Sequence, residues 1–187
     1  AGNTGLGMGS LSLNTTGASN VAVGYSSLDA NTTADRNVAV GYDSLGANTT
    51  GASNTGVGMD VLRLNTTGTQ NAAFGNASMY SNTTASYNTA YGGSSLYSGT
   101  TGASNTAIGY YTLFTITDGG HSTAVGNSAL KLVTGSYNTA VGSTAMDAAT
   151  SASASTAVGY SALGAVTTGG NNDAFGFDAL FSVTSAS

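Results

Sequence analysis

A unit of seventeen residues recurs along the whole chain, and this repeat constrains the fold more than any other feature of the sequence. Aligned on its first residue, usually asparagine, the chain of 187 residues gives eleven units, which begin at Asn3, Asn20, Asn37, Asn54, Asn71, Asn88, Asn105, Ser122, Asn138, Ser155 and Asn172. Every step is seventeen residues except the sixteen between Ser122 and Asn138. We number the positions in a unit as columns one to seventeen. So short a period indicates one coil of a solenoid per unit, and residues 1–187 are therefore interpreted as a single repetitive domain.

The columns differ sharply in how much they vary. Column five is always glycine, column thirteen is always threonine, column three is only alanine or glycine, and column nine is only leucine or methionine. Column four holds a large apolar residue in every unit. β-Branched residues punctuated by glycine, asparagine and serine suit short strands joined by tight turns. The sequence thus predicts an all-β fold, a parallel β-solenoid or β-roll of about eleven coils, with one strand in columns two to four and a second in columns eight to eleven.

Glycine at column five is expected to have a positive φ or to lie close to another backbone segment. Equivalent residues of successive coils would stack about 4.8 Å apart along the axis of the solenoid. Such a coil buries few large apolar side chains, too few to offset the entropy of ordering seventeen residues. The solenoid therefore needs further support, and a second chain could supply it.

Column three offers a surface for that second chain. If columns two and four face the interior, alternation along the strand turns column three outward. A neighbouring chain packed closely on column three would explain why its residues are so small; the alternative is that column three lies inside a narrow coil. The predicted inter-chain contacts are Ala22, Ala39, Ala73, Ala90, Ala107, Ala124, Ala140 and Ala157.

The composition argues against several classes of function. Charged residues make up 6% of the chain and the net charge is −5, so the basic surface that nucleic acid requires is missing. No run of about 20 apolar residues is present to insert into a membrane. Catalytic side chains are scarce as well, because cysteine and glutamate are absent, His121 is the only histidine, and the eight aspartates are scattered. We therefore predict no enzymatic activity, no metal site and no cofactor.

Asparagine recurs at column twelve, where five N-T-T sequons lie one coil apart. They begin at Asn14, Asn31, Asn48, Asn65 and Asn82. Sequons of this kind accept N-linked glycans in exposed loops of secreted proteins. The same column becomes Ile116, Val133, Val166 and Val183 in later coils, as an inward position would. We therefore favour a ladder of asparagine amides that bond along the stack, and N-glycosylation is the alternative.

Aromatic residues occupy column ten in three successive coils, at Tyr80, Tyr97 and Phe114. If this column is exposed, the three rings form a strip that could contact a glycan or a receptor. The alternative is that the rings stack and only stabilise adjacent coils. The stacked threonines suggest binding to ice as well, although alternation would send the two threonines of N-T-T to opposite faces of a strand.

The core of the repeat resembles a known family. The stretches NTAIGYYTL from Asn105 to Leu113, STAVGNSAL from Ser122 to Leu130 and STAVGYSAL from Ser155 to Leu163 resemble the head repeats of trimeric autotransporter adhesins. They are also similar to the NTAVGYNAL-type repeats of phage tail fibres and bacterial surface fibres. The resemblance implies a homotrimer of parallel β-rolls, left-handed in the adhesin heads, that serves as a shaft or an attachment surface without enzymatic activity.

These features together predict a structural shaft or adhesive segment of an extracellular, cell-surface or virion fibre. The alternatives are a subunit of a filament that polymerises end to end, with or without glycans, and an ice-binding solenoid. The expected partners are further copies of this chain, as a homotrimer or stacked axially, and a cell-surface glycan or receptor. Ala1-Gly2 and Ala186-Ser187 stand at nearly the same phase of the repeat, so we expect the coil to continue into further residues or into the next subunit.

Overall fold

The computed structural model describes residues 2–182 and Thr184, and in this part of the chain each unit contributes one short strand to a single sheet. All eleven strands are parallel and lie in chain order. They are β1 (Thr4–Leu6), β2 (Val21–Val23), β3 (Val38–Val40), β4 (Thr55–Val57), β5 (Ala72–Phe74), β6 (Thr89–Tyr91), β7 (Thr106–Ile108), β8 (Thr123–Val125), β9 (Thr139–Val141), β10 (Thr156–Val158) and β11 (Asp173–Phe175). The predicted all-β parallel solenoid is confirmed. Ala1 and Ala186-Ser187, for which a continuation of the coil was predicted, lie outside the described residues.

The register of the sheet follows the repeat, because each strand residue pairs with the same column of the next coil. Ala107 of β7, for example, pairs with Ala124 of β8. The shortened unit does not disturb this register, since Thr123 of β8 pairs with Thr139 of β9. The missing residue is absorbed in a corner, outside the sheet, where the chain has no strand pairing to lose.

Columns eight to eleven form turns, and the predicted second strand is wrong. Columns seven and nine have a left-handed backbone in the seventh coil, with φ of 56° at Tyr111 and 48° at Leu113. Left-handed residues curl the chain instead of extending it. The curl turns the side chain of column nine into the core, where Leu113 is fully buried. The apolar character of this segment therefore reflects burial and not strand formation.

The interior of each coil is narrow, and its main residues come from columns three and nine. The buried residues of column nine are Leu28, Leu45, Leu62, Met79, Leu96, Leu113, Leu130, Met146 and Leu163. The alanines predicted to contact another chain lie in the same core with no exposed surface: Ala22, Ala39, Ala73, Ala90, Ala107, Ala124, Ala140 and Ala157. That prediction is wrong because the alternation runs the other way. Columns two and four face outward, and column three is small because little room remains beside the column-nine side chain.

Column five shows both properties expected of its glycine. Gly109 has a φ of 132°, and a Cβ atom built there would lie 2.4 Å from the carbonyl oxygen of Gly126 in the next coil. Glycine at this column therefore ends each strand and lets successive backbones approach closely.

Replacing Gly109 with alanine should destabilise the solenoid by about 3–5 kcal/mol, because the change combines a strained φ with a clash against backbone. Thermal unfolding followed by circular dichroism measures the effect. Gly93→Ala is the matched control, since Gly93 does not have a positive φ and the nearest atom to its added Cβ is a ring carbon of Tyr110 at 3.3 Å. Equal losses in the two variants would contradict this account of column five.

Candidate functional site: buried ladders and an exposed apolar stripe

The asparagines of column twelve form a ladder of hydrogen bonds inside the solenoid. Nδ2 of Asn48 donates to Oδ1 of Asn31 at 3.3 Å and to the carbonyl oxygen of Gly51 at 3.0 Å. In turn, Oδ1 of Asn48 accepts from Nδ2 of Asn65 at 2.7 Å. The same arrangement joins Asn14 to Asn31 and Asn65 to Asn82. The predicted amide ladder therefore exists over five coils.

The position of this ladder bears on glycosylation. Asn31, Asn48, Asn65 and Asn82 have no exposed surface, and Asn14 in the first coil is half-buried. In Asn48 both hydrogens of the amide nitrogen have acceptors within the solenoid. An oligosaccharide transferred to that nitrogen would have to break the ladder. The folded solenoid thus disfavours glycans at the four buried sequons.

A second ladder, at column one, was not anticipated. The backbone N–H of Asn37 donates to Oδ1 of Asn20 at 2.9 Å, and Nδ2 of Asn37 donates to the carbonyl oxygen of Gly51 at 2.9 Å. Most coils repeat both bonds. The first joins column one to the same column of the preceding coil, and the second joins it to the corner that follows the turns of its own coil. The only signal in the sequence was the near constancy of asparagine where the repeat begins.

The column-twelve ladder stops in the sixth coil. Oδ1 of Asn82 is buried without a hydrogen-bond partner, because the next coil has Gly99 at that column. Beyond this point Ile116, Val133 and Val166 fill the column with buried apolar side chains. The solenoid therefore has a polar core segment on one side of Gly99 and a largely apolar segment on the other.

Asn48→Ala should lower the free energy of unfolding by about 2–4 kcal/mol, because it leaves the buried Oδ1 of Asn31 unpaired and deprives Asn65 of an acceptor. Denaturant unfolding measures the change. Thr50→Ala is the matched control two residues away, at an exposed side chain. A loss no larger than that of the control would contradict the structural role of the ladder.

The predicted aromatic strip of column ten is a stack of rings. The centroids of Tyr80 and Tyr97 lie 5.2 Å apart with planes inclined by 8°, and those of Tyr97 and Phe114 lie 5.2 Å apart with planes inclined by 15°. All three side chains are half-buried. The ring faces contact each other, so the faces that a sugar would need are largely occupied. The geometry favours the alternative, a stack that stabilises adjacent coils.

Charged residues extend this stack at its N-terminal end. Arg63 pairs with Asp43 at 2.6 Å, lies 3.6 Å from Asp60, and donates a hydrogen bond to the Tyr80 hydroxyl at 3.1 Å. Asp29, Asp43 and Arg63 line a shallow depression of about 310 Å³. Partial burial and the Asp43 carboxylate raise the pKa of Asp29 above its usual 3.8.

Asp29→Asn should raise the melting temperature at neutral pH. A raised pKa means that ionisation of Asp29 costs stability in the folded state, and this cost grows as pH rises through that pKa. The gain over the unmodified chain should disappear at about pH 3, where Asp29 is itself protonated. Asp118→Asn, at an exposed carboxylate, controls for the change in net charge. A gain that is the same at both pH values would contradict this assignment.

The outer face of the sheet carries a row of exposed apolar side chains, which we name the apolar stripe. It consists of columns four and six, which are two residues apart and separated by the column-five glycine. Its exposed members are Leu6, Met8, Tyr25, Tyr42, Met59, Tyr91, Ile108, Tyr110, Val141, Tyr160, Phe175 and Phe177. Tyr25 and Tyr42 stack with centroids 5.3 Å apart, and Tyr160 and Phe177 do so at 5.2 Å. Column four is apolar in every coil, whereas column six is interrupted by Asn76, Gly93, Asn127 and Ser143. Exposed apolar rows of this kind are typical of interaction surfaces.

The sequence contained a signal for the outward direction of column four. Its residues range from valine to tyrosine while its neighbours in column three stay alanine or glycine. A close-packed interior does not accept such changes in volume without compensation, whereas a surface does. The variable column was therefore the exposed one.

No family model matches this chain, and neither a curated protein nor a solved structure matches it. Residues 2–182 and 184 include no helix of the length and apolarity needed to cross a membrane. Within the same residues, no group of three or more His, Cys, Asp or Glu side chains is placed to hold a metal ion.

Proposed function

We propose that this chain is the shaft or adhesive segment of an extracellular or virion fibre, and that three copies pack in parallel along their apolar stripes. The observation that carries the proposal is the stripe itself, where Tyr91 is 61% exposed and Phe175 is 69% exposed. Burying such side chains against another chain is favourable by about 25 cal/mol for each Å². A second copy of the chain offers an equally long, equally spaced surface.

The distribution of aromatic residues along the stripe supports packing in register. In coils two and three the ring lies in column six, at Tyr25 and Tyr42, beside valine in column four. In coils five and six it moves to column four, at Phe74 and Tyr91, and column six becomes Asn76 and Gly93. Each of these levels carries one large ring. Coils one, four, eight and nine have no ring in either column, so the rings mark particular levels of the stripe, and an interface in register would bring the same levels of neighbouring copies together.

The number of copies and the kind of fibre rest on the resemblance to trimeric adhesin heads and tail-fibre repeats. The low number of charged residues also suits a stiff element whose lateral surfaces are covered by its own copies. In this proposal the chain has no enzymatic activity. Its biological role is to lengthen the fibre and to attach it to a surface.

Light scattering of the purified chain tests the assembly. We expect a particle of three times the 18.1 kDa chain mass. Ile108→Asp should convert it to single chains, because a carboxylate placed in the stripe would be buried without a partner. Circular dichroism of the variant should remain that of the folded solenoid, since the side chain of Ile108 faces outward.

Thr101→Asp is the control, because it introduces the same charge at an exposed threonine away from the stripe and should leave the mass unchanged. An unmodified chain that scatters as a folded monomer would contradict the trimer. Dissociation caused by the control as well would show that charge alone, and not its place in the stripe, separates the copies.

A further inference from the structure

Column seventeen, at the corner before each strand, carries an interrupted ladder of rings in coils five to eight. Its residues there are Tyr87, Ser104, His121 and Tyr137. The rings of His121 and Tyr137, which belong to adjacent coils, stack with centroids 5.2 Å apart and planes inclined by 3°. Ser104 has no ring. One rung is therefore missing between Tyr87 and His121.

The rings of this ladder face solvent although the backbone is unfavourable for them. Tyr87, His121 and Tyr137 have left-handed φ values of 64°, 59° and 63°, a region that is costly for bulky side chains. In other coils the same corner, also with a left-handed backbone, is occupied by Arg36, Ser53, Gln70 and Asn171. Tyr87 and Tyr137 are still 59% and 64% exposed, so burial does not offset the cost. Stacking between adjacent coils accounts for His121 and Tyr137, whereas Tyr87 has no aromatic residue in column seventeen of either adjacent coil.

We propose that the gap at Ser104 binds one pyranose ring of a neutral saccharide. Tyr87 and His121 are two coils apart, which corresponds to about 9.6 Å at the usual strand spacing. One six-membered ring at the level of Ser104 would lie about as far from each neighbour as His121 lies from Tyr137, 5.2 Å. The ligand would complete the ladder, with its two faces against the two aromatic rings.

The surroundings of the gap select the ligand class. Between Tyr87 and Tyr137, column seventeen contains no carboxylate, lysine or arginine, so neither an anion nor a cation finds a formal opposite charge. Ser104 is exposed at the gap, and Thr89 (exposed) and Thr106 (half-exposed) follow Tyr87 and Ser104 by two residues in the chain. A pyranose combines apolar C–H faces with a rim of hydroxyl groups. This site deepens the proposed function by naming the ligand class for attachment, and it rests on that proposal for its biological role only.

A printed array of neutral oligosaccharides of glucose, galactose, mannose and 6-deoxyhexoses tests the site. We expect the unmodified chain to bind at least one of them. Ser104→Tyr fills the gap with the missing ring, and Tyr87→Ser removes one wall while keeping a residue that this corner accepts at Ser53. Each change should weaken binding by about tenfold or more, as expected when a stacking contact is lost.

Ser53→Tyr is the matched control, because it makes the same substitution in the same column three coils away and should bind as the unmodified chain does. Circular dichroism establishes that every variant is folded. The site is refuted if the unmodified chain retains no saccharide of the array, or if Ser104→Tyr binds as well as the control.

Light scattering of the same samples separates this inference from the proposed assembly. A trimer that binds no neutral saccharide overturns the site and leaves the fibre role standing. A monomer that binds saccharide, and loses the binding in Ser104→Tyr, supports the site and overturns the trimer.

Discussion

Hydrogen bonds between the same positions of successive coils are the interaction on which this structure depends. Only three residues of each unit are in the sheet, so the backbone groups of the corners must find partners elsewhere. Thr66, for example, donates from its backbone N–H and from its Oγ1 to the carbonyl oxygen of Thr83, one coil on. The same hydroxyl bond along the stack recurs in most coils, whereas Oγ1 of Thr117 donates to Oδ1 of Asp118. The sixteen-residue unit keeps this bond, since Oγ1 of Thr134 donates to the carbonyl oxygen of Thr150.

Buried asparagine side chains supply further hydrogen-bond partners for the backbone groups of the corners. The carbonyl oxygen of Gly51 accepts from the amides of both Asn37 and Asn48, so two ladders meet on one backbone group. Buried polar groups of this kind stabilise a fold only while every member is paired. Where the column-twelve ladder ends at Asn82, one acceptor is left over, and the core becomes apolar from Ile116 onward. The two halves of the rod therefore share one backbone path but have different interiors.

A coil this narrow also decides where large side chains go. Column nine fills the interior with one leucine or methionine for each coil, and column three has space only for alanine or glycine. Valine, phenylalanine and tyrosine of columns four and six are consequently placed outside. The exposed apolar stripe is thus a result of the coil's dimensions, and it gives a thin solenoid the means to gain stability by association. The constant distance between successive coils also lets aromatic rings stack along the axis within one chain, as Tyr80 does on Tyr97.

The sequence by itself determined the coil, its period and its parallel register, because a repeat of seventeen residues with a fixed glycine allows few other arrangements. It also indicated the ladder from Asn14 to Asn82, since valine and isoleucine replace asparagine in the same column. Which side chains of each strand point into the core was decided only by the tertiary structure. Alternation fixes that columns three and four face opposite sides, but not which side is inside; that choice depends on how the turns of columns seven to nine bring leucine against the sheet. The left-handed backbone at Leu113 is not visible in residue preferences, because it is stabilised by burial of its side chain in the finished coil.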